Sequence, residues 1–285
     1  MINKHNLLRV LALMVFVVPV FGQGTAIEPC QTPAKPGSTQ QQTGTRASLL
    51  PVDDSVPTDK DVEKMLAPYS EKVRELSKVI GRLEGNLSKK GVGGGSLGYF
   101  VTNGIRAQAQ AKLGKPVTLA VMNVGGLRKN EISAGELKAS DIFELLPFEN
   151  ALVVLELTGT QLAQLLQVVT RDAQAGARIE FKWNDRDRAD FISGKLVDAN
   201  GKEQDIDSQK IYTVVTIDYL LQVAGGPYAI LKEAKSTTPL NMTLRDAVMN
   251  YVKSETAAGR PVRSIVDDRF VQIGPDRKTI TETPQ

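Results

Sequence analysis

The sequence predicts an α/β fold of the mixed α+β kind over residues 58–285, a single domain in which a mixed sheet is flanked by helices. Three observations predict it. Short apolar runs bounded by turn residues alternate with stretches whose apolar residues recur at helical spacing. No internal repeat divides the chain, so the alternation describes one layered unit. The apolar share, 41% of 285 residues, is enough to build a core.

Structure is expected to begin near Thr58. Asp59 and Asp61 suit a first helical turn. Val62, Met65, Leu66, Val73, Leu76, Val79 and Ile80 follow at helical spacing, with Pro68 breaking or kinking the stretch. Lys89-Lys90-Gly91-Val92-Gly93-Gly94-Gly95 reads as a loop, after which Ser96 caps a helix running to Lys112. Val117–Met122 has the pattern of a buried strand. Ser133-Ala134-Gly135-Glu136 reads as the entry to a helix that carries Ile142 and Leu145 as far as Pro147. Ala151–Leu157 is the next strand, and Gly159 opens an amphipathic helix with Leu162, Leu165, Leu166 and Val169. Ile179–Trp183, Leu196-Val197 and Ile211–Ile217 are further strands, Leu244–Lys253 a closing helix and Arg263–Ile273 a last strand.

Ahead of the domain, residues 1–22 read as a secretory signal. Lys4, His5 and Arg9 supply basic character, Leu11–Phe21 is apolar apart from Pro19, and the expected cut follows Gly22 or Ala26. The run is short for a bilayer span, and an uncleaved anchor is the alternative. Cys30 raises lipidation as another, although Pro29 stands where a small residue is expected. Residues 23–57, with Gln40-Gln41-Gln42 at their centre, have the composition of a flexible polar tether. The product is expected to be exported, to the periplasm or beyond the cell.

Counting residues restricts the chemistry. His5 is the only histidine and Cys30 the only cysteine. Without the signal, the chain has no imidazole for a zinc or two-metal phosphoesterase site, a catalytic triad or a histidine base, and no internal disulfide. No clustered Asp/Glu motif proposes a carboxylate metal site, so no cofactor is expected in this chain. The formal charge is +3; loss of Lys4 and Arg9 leaves 33 basic against 32 acidic residues. A near-neutral chain has no field that calls for nucleic acid or an anionic membrane.

Gly91-Val92-Gly93-Gly94-Gly95-Ser96 lacks the spacing and lysine of a phosphate-binding loop. Val121-Met122-Asn123-Val124-Gly125-Gly126-Leu127-Arg128 is more informative. A strand ends, two glycines allow positive φ and close ligand approach, and Asn123 and Arg128 offer directional donors to hydroxyl, carbonyl or phosphate oxygens. Alone, this describes a strand-end turn equally well.

Its company decides. Asn123-Val124-Gly125-Gly126-Leu127-Arg128 is followed by Leu146-Pro147-Phe148-Glu149-Asn150 and Leu157-Thr158-Gly159-Thr160-Gln161-Leu162. That order closely resembles the C-terminal domain of the 5'-nucleotidase and UDP-sugar hydrolase family, with its N-x-G-G-I-R, L-P-F-x-N and L-T-G-x-Q-L signatures. Leu97-Gly98-Tyr99-Phe100-Val101-Thr102-Asn103, Ala224-Gly225-Gly226, Leu244-Arg245-Asp246-Ala247 and Asp268-Arg269-Phe270 look like its other landmarks. The resemblance implies that this domain grips a nucleoside while a separate metallophosphoesterase domain cuts the phosphate. It implies substrate contacts from Asn123, Gly125, Gly126, Arg128, Gly225 and Gly226, with Phe148 one face of an aromatic clamp. Three positions depart from the pattern. Strict spacing puts Leu221 at the second aromatic, and Tyr219 fits only with two residues inserted; Pro227 stands where a ribose-binding Asp is expected; Lys89-Lys90-Gly91 replaces an early Arg. The expected function is the substrate-binding half of a split 5'-nucleotidase-type phosphohydrolase in nucleotide catabolism, with divalent metals on a separate metallophosphoesterase partner. The alternatives are a stand-alone nucleotide-binding protein and a structural domain that has lost its ligand.

Overall fold

The computed structural model describes residues 53, 55–222 and 226–275. The signal, Cys30 and nearly all of the tether lie outside the described residues, as does Gly225. From Thr58 onward the chain forms one contact unit. In order, its elements are α1 (Lys60–Leu76), β1 (Val79–Glu84), β2 (Leu87–Ser88), α2 (Gly95–Leu113), β3 (Leu119–Met122), β4 (Glu131–Ile132), β5 (Gly135–Lys138), α3 (Ala139–Leu145), β6 (Ala151–Thr158) and α4 (Gly159–Val168). They continue as β7 (Ala173–Ala175), β8 (Ala177–Trp183), β9 (Ala189–Val197), β10 (Glu203–Gln204), β11 (Ile211–Ile217), α5 (Asp218–Gln222), β12 (Ser236–Thr243), α6 (Leu244–Ala257), β13 (Val262–Arg263) and β14 (Phe270–Gln272).

The fold is α/β, built on a five-stranded mixed sheet ordered β12-β6-β11-β3-β7. β11 runs parallel to β3 and antiparallel to β6, and β7 runs antiparallel to β3. Leu152 to Leu155 on β6 and Val214 to Ile217 on β11 are all buried, so the middle of the sheet is covered on both faces. That is why these strands read as unbroken apolar runs. A four-stranded sheet β10-β9-β8-β14, a three-stranded sheet β13-β1-β5 and the pair β2-β4 lie beside it. α2 packs on β3 and β7 and against α6, and α6 in turn packs on β1. Close approach sets the last contact, because a Cβ on Gly81 would lie 2.6 Å from Val252.

Several local expectations change. Pro68 does not break α1, which is continuous through it. The N–H that proline lacks would bond the carbonyl of Lys64, and on a helix with no buried residue that carbonyl stays open to water. Val79 and Ile80 belong to a strand, since a short apolar pair fits either period. Ser96 is not the cap of α2. Gly94, at φ 74, holds the cap position, while the Ser96 hydroxyl accepts the Ser88 N–H at 2.8 Å and ties the helix to β2. Gly135 adopts φ 125 and leads into β5, so the next helix starts only at Ala139, where the Asp141 carboxylate accepts the Lys138 N–H at 2.9 Å. The last strand divides into β13 and β14, which join different sheets.

Candidate functional site

Three sheet pairings bring the signature segments to one edge. Because β11 is parallel to β3, both chains leave the sheet on the same side: β3 into the Asn123–Arg128 turn, β11 into Asp218 and Tyr219. β6 runs the other way, with Leu152 level with Ile217, so the Leu146–Asn150 loop that precedes it arrives there too. β7 pairs Ala173 with Met122, which adds Asp172 to the edge. Open α/β sheets bind ligands at such strand ends.

Phe148 projects from its loop with 42% of its surface exposed, and the Arg128 guanidinium lies over the ring, 4.8 Å from its centroid. A planar cation at this range is attracted to the ring face. The Arg128 backbone N–H donates to the carbonyl of Leu145 at 2.9 Å, which fixes the turn against the base of the Phe148 loop. Lys129 secures the same junction through Glu144 at 2.7 Å and Asp141 at 3.3 Å. The hydrogen bond it donates to Glu144, helped by Asp141, holds the Lys129 ammonium pKa above its ordinary value. Lys89 donates to the carbonyl of Leu127 at 2.8 Å.

The glycine pair acts differently from expectation. Neither Gly125 nor Gly126 has positive φ; the turn is a 3-10 turn over Val124–Gly126. Space is only mildly short at Gly126, where a Cβ would lie 3.3 Å from Met122 Cε, and at Gly125 a Cβ would make an ordinary contact at 3.4 Å with Asn123 Nδ2. Positive φ belongs to the Gly91–Gly95 loop, where Gly94 packs beneath the turn against Val124 and Leu127. Asn123 carries the least satisfied atom of the edge: its Oδ1 is buried and has no donor among the described residues. A buried carbonyl oxygen without a donor is costly, so it marks a place where a ligand donor gains.

Two supports have no role assigned to them in the sequence, where Arg245 stands only as part of the Leu244-Arg245-Asp246-Ala247 landmark. The Asp172 carboxylate accepts the Val124 N–H at 2.9 Å on one oxygen and the Tyr228 hydroxyl on the other, tying the Asn123 turn to the segment after Gly226. Burial, reinforced by the Asp172 charge, pushes the Tyr228 hydroxyl above its ordinary range, so it stays protonated and donates. Tyr228→Phe is expected to cost about 1–2 kcal/mol, read as a lowered midpoint in urea unfolding. A proton held more tightly in the folded state stabilises fully below the usual tyrosine pKa of 10.0, and that stability is lost as pH rises above it. The variant should therefore lose stability less steeply than the parent above that pH, and equal slopes would refute the link. Such a strut is invisible in the sequence because Asp172 and Tyr228 are far apart in it.

The second support is Arg245, which is buried on α6. Its Nε donates to the carbonyl of Leu146 at 2.9 Å and its Nη2 to that of Pro147 at 3.0 Å, with Phe148 O at 3.4 Å. Nη1 reaches Glu149 at 2.7 Å, and Phe143 stacks on the guanidinium at 4.2 Å. The helix thereby grips the backbone of the loop that presents Phe148.

Of the other candidates, Tyr219 is 47% exposed at the edge, whereas Leu221 packs against the core. Gly226 is half-buried, and Pro227 after it is exposed. Among the described residues no group of three or more His, Cys, Asp or Glu is placed to hold a metal ion. No helix among them is long and apolar enough to cross a membrane.

Comparison with known proteins follows the same outline. The family model "5'-nucleotidase, C-terminal domain" matches residues 79–233. The trifunctional nucleotide phosphoesterase protein YfkN of Bacillus subtilis is 23% identical over 240 residues, covering 79% of this chain and 16% of that protein. Protein UshA of Escherichia coli is 26% identical over 171 residues, covering 57% and 28%. The chain thus spans less than a third of these relatives. Among solved structures, a 5'-nucleotidase precursor from Thermus thermophilus shares the fold with a TM-score of 0.61 at 23% identity, covering 77% of this chain and 44% of that one. The Haemophilus influenzae NAD nucleotidase gives 0.56 at 18% identity, covering 76% and 42%.

Proposed function

We propose that this chain, which belongs to the 5'-nucleotidase C-terminal domain family, binds the nucleoside part of a nucleotide at the sheet edge formed by Asn123, Arg128, Phe148 and Tyr219. One observation carries the reading: the buried Asn123 Oδ1 lacks a donor on the same edge where Phe148 exposes its ring. A base has a π-face to stack on such a ring and N–H or amino donors to complete such an oxygen. Arg128 can shift from ring to phosphate or hydroxyl without leaving the site. Gly125 and Gly126 let the backbone approach, and Gly225 and Gly226 belong to the neighbouring segment.

Hydrolysis is assigned to a separate metallophosphoesterase partner that would supply the divalent metals, the pair acting as a split 5'-nucleotidase in nucleotide catabolism outside the cytoplasm. In this reading Asn123, Arg128, Phe148 and Tyr219 break no bond. Their role is to hold and orient the base.

Calorimetry of the purified chain against AMP, adenosine and UDP-glucose tests the binding. Heat is expected for the ligands that share a nucleoside, with Asn123→Ala weakening it. Asn123→Ala leaves no acceptor and removes about 1–2 kcal/mol, or about 5–30-fold in affinity. No heat at millimolar ligand would sink the proposal.

A further inference from the structure

Among the described residues, nothing buries the apolar face of α1. It has 17 residues, none of them buried, and Val62, Met65, Leu66, Tyr69 and Val73 are between 45% and 63% exposed. Most of a helix's stability in a protein comes from packing its amphipathic face, and this helix also contains Pro68. Its face calls for a partner.

The charges on the helix say which. Reading forward from Lys60 and backward from Glu75, opposite charges stand at mirror positions, Lys60 with Glu75, Asp61 with Arg74, Glu63 with Lys72 and Lys64 with Glu71, so the two halves of the helix are complementary in charge. The apolar positions mirror in the same frame, Val62 with Val73 and Leu66 with Tyr69. Val62, Leu66, Tyr69, Val73 and Leu76 are spaced alternately by four and three, the seam of a two-helix coiled coil.

We propose that α1 is a dimerisation element that pairs antiparallel with α1 of a second copy of this chain. Val62 then packs on the partner's Val73, and Leu66 on the partner's Tyr69. Glu63 comes beside the partner's Arg74 and Asp61 beside the partner's Lys72, on opposite flanks of the seam. A parallel pair would set Asp61 and Glu63 against their own copies and align the helix dipoles unfavourably. With four basic and four acidic residues between Lys60 and Glu75, the helix lacks the basic excess of one that lies on an anionic membrane. At its C-terminal end α1 borders a groove of about 730 Å³, where Leu76 stands beside Val79, Ile80, Phe143 and Met249 and where Lys72 and Glu75 also line the wall. The antiparallel arrangement brings the start of the partner helix to that groove.

Sedimentation equilibrium of the purified chain, with reductant present so that Cys30 cannot cross-link copies, should give twice the chain mass. Leu66→Glu should weaken the dimer at least about tenfold, because each copy would bury a charge at the seam. Asp61→Lys with Glu63→Lys should separate the copies, and so should Lys72→Glu with Arg74→Glu. The chain carrying all four exchanges should dimerise again. All these side chains are exposed, so the melting of the domain body should stay unchanged and show that loss of dimer is not loss of fold. A monomer at every concentration overturns the proposal and assigns the face to another protein. A dimer unmoved by Leu66→Glu places the interface elsewhere. Failure of the fourfold exchange to restore pairing rules out the antiparallel register.

Discussion

Arg245→Ala should unfold the Phe148 loop from its support and lower the stability of the domain by about 3–5 kcal/mol, the largest effect expected of any single change at this edge. The size follows from what the guanidinium does. It is buried, and its donors satisfy the carbonyls of Leu146 and Pro147, while Phe143 covers its face. Alanine leaves those carbonyls without donors and opens a void beside the ring. Glu149 is not the source of the effect, since its side chain is 73% exposed and the ion pair is correspondingly weak. Glu149→Ala should thus change stability by no more than about 0.5 kcal/mol. Arg245→Lys should recover only part of the loss, because an ammonium cannot span the carbonyls as the planar fork does. In thermal melts Arg245→Ala should lower Tm by about 10 °C, at about 2–4 °C per kcal/mol for a domain of this size. A shift of under about 2 °C would show that the loop does not depend on Arg245.

Phe148→Ala separates binding from folding. A ring with 42% of its surface exposed contributes little to the core, so the melt should be nearly unchanged. The loss should fall on affinity instead. Stacking one base on an aromatic ring is worth about 1–3 kcal/mol, so nucleoside affinity should drop about 5–150-fold by calorimetry. Phe148→Tyr keeps the stacking surface and should bind close to the parent. Tyr219→Ala should show a similar loss if Tyr219 is the second face of the clamp, and Leu221→Ala should instead reduce stability, as its packing on the core requires. Unchanged affinity in Phe148→Ala would remove the ring from the site.

Much of the fold was legible because it rests on local patterns. β6 and β11 are covered on both faces and so read as continuous apolar runs, and Thr158 with Gln161 forms a reciprocal cap that opens α4 where the sequence places it. Misreadings arose where one local pattern fits two outcomes. Val79-Ile80 suits a helix or a strand, and only the pairing of β1 with β5, which sets Val79 opposite Lys138, chooses between them. Gly125-Gly126 suits a positive-φ turn or a 3-10 turn, and only the folded backbone decides for the latter.

By itself the sequence determined the α/β class, the family signatures and the absence of histidine beyond His5, because periodicity, spacing and composition are properties of neighbours along the chain. The tertiary structure alone decided what stands behind each signature. Arg245 meets Phe148 across 97 positions and Tyr228 meets Asp172 across 56, and no periodic pattern encodes contacts of such separation. The parallel pairing of β3 with β11 puts Asn123 and Tyr219 at one edge, since strands running the same way release their chains on the same side of the sheet, and the antiparallel pairings of β6 with β11 and β7 with β3 bring Phe148 and Asp172 to it.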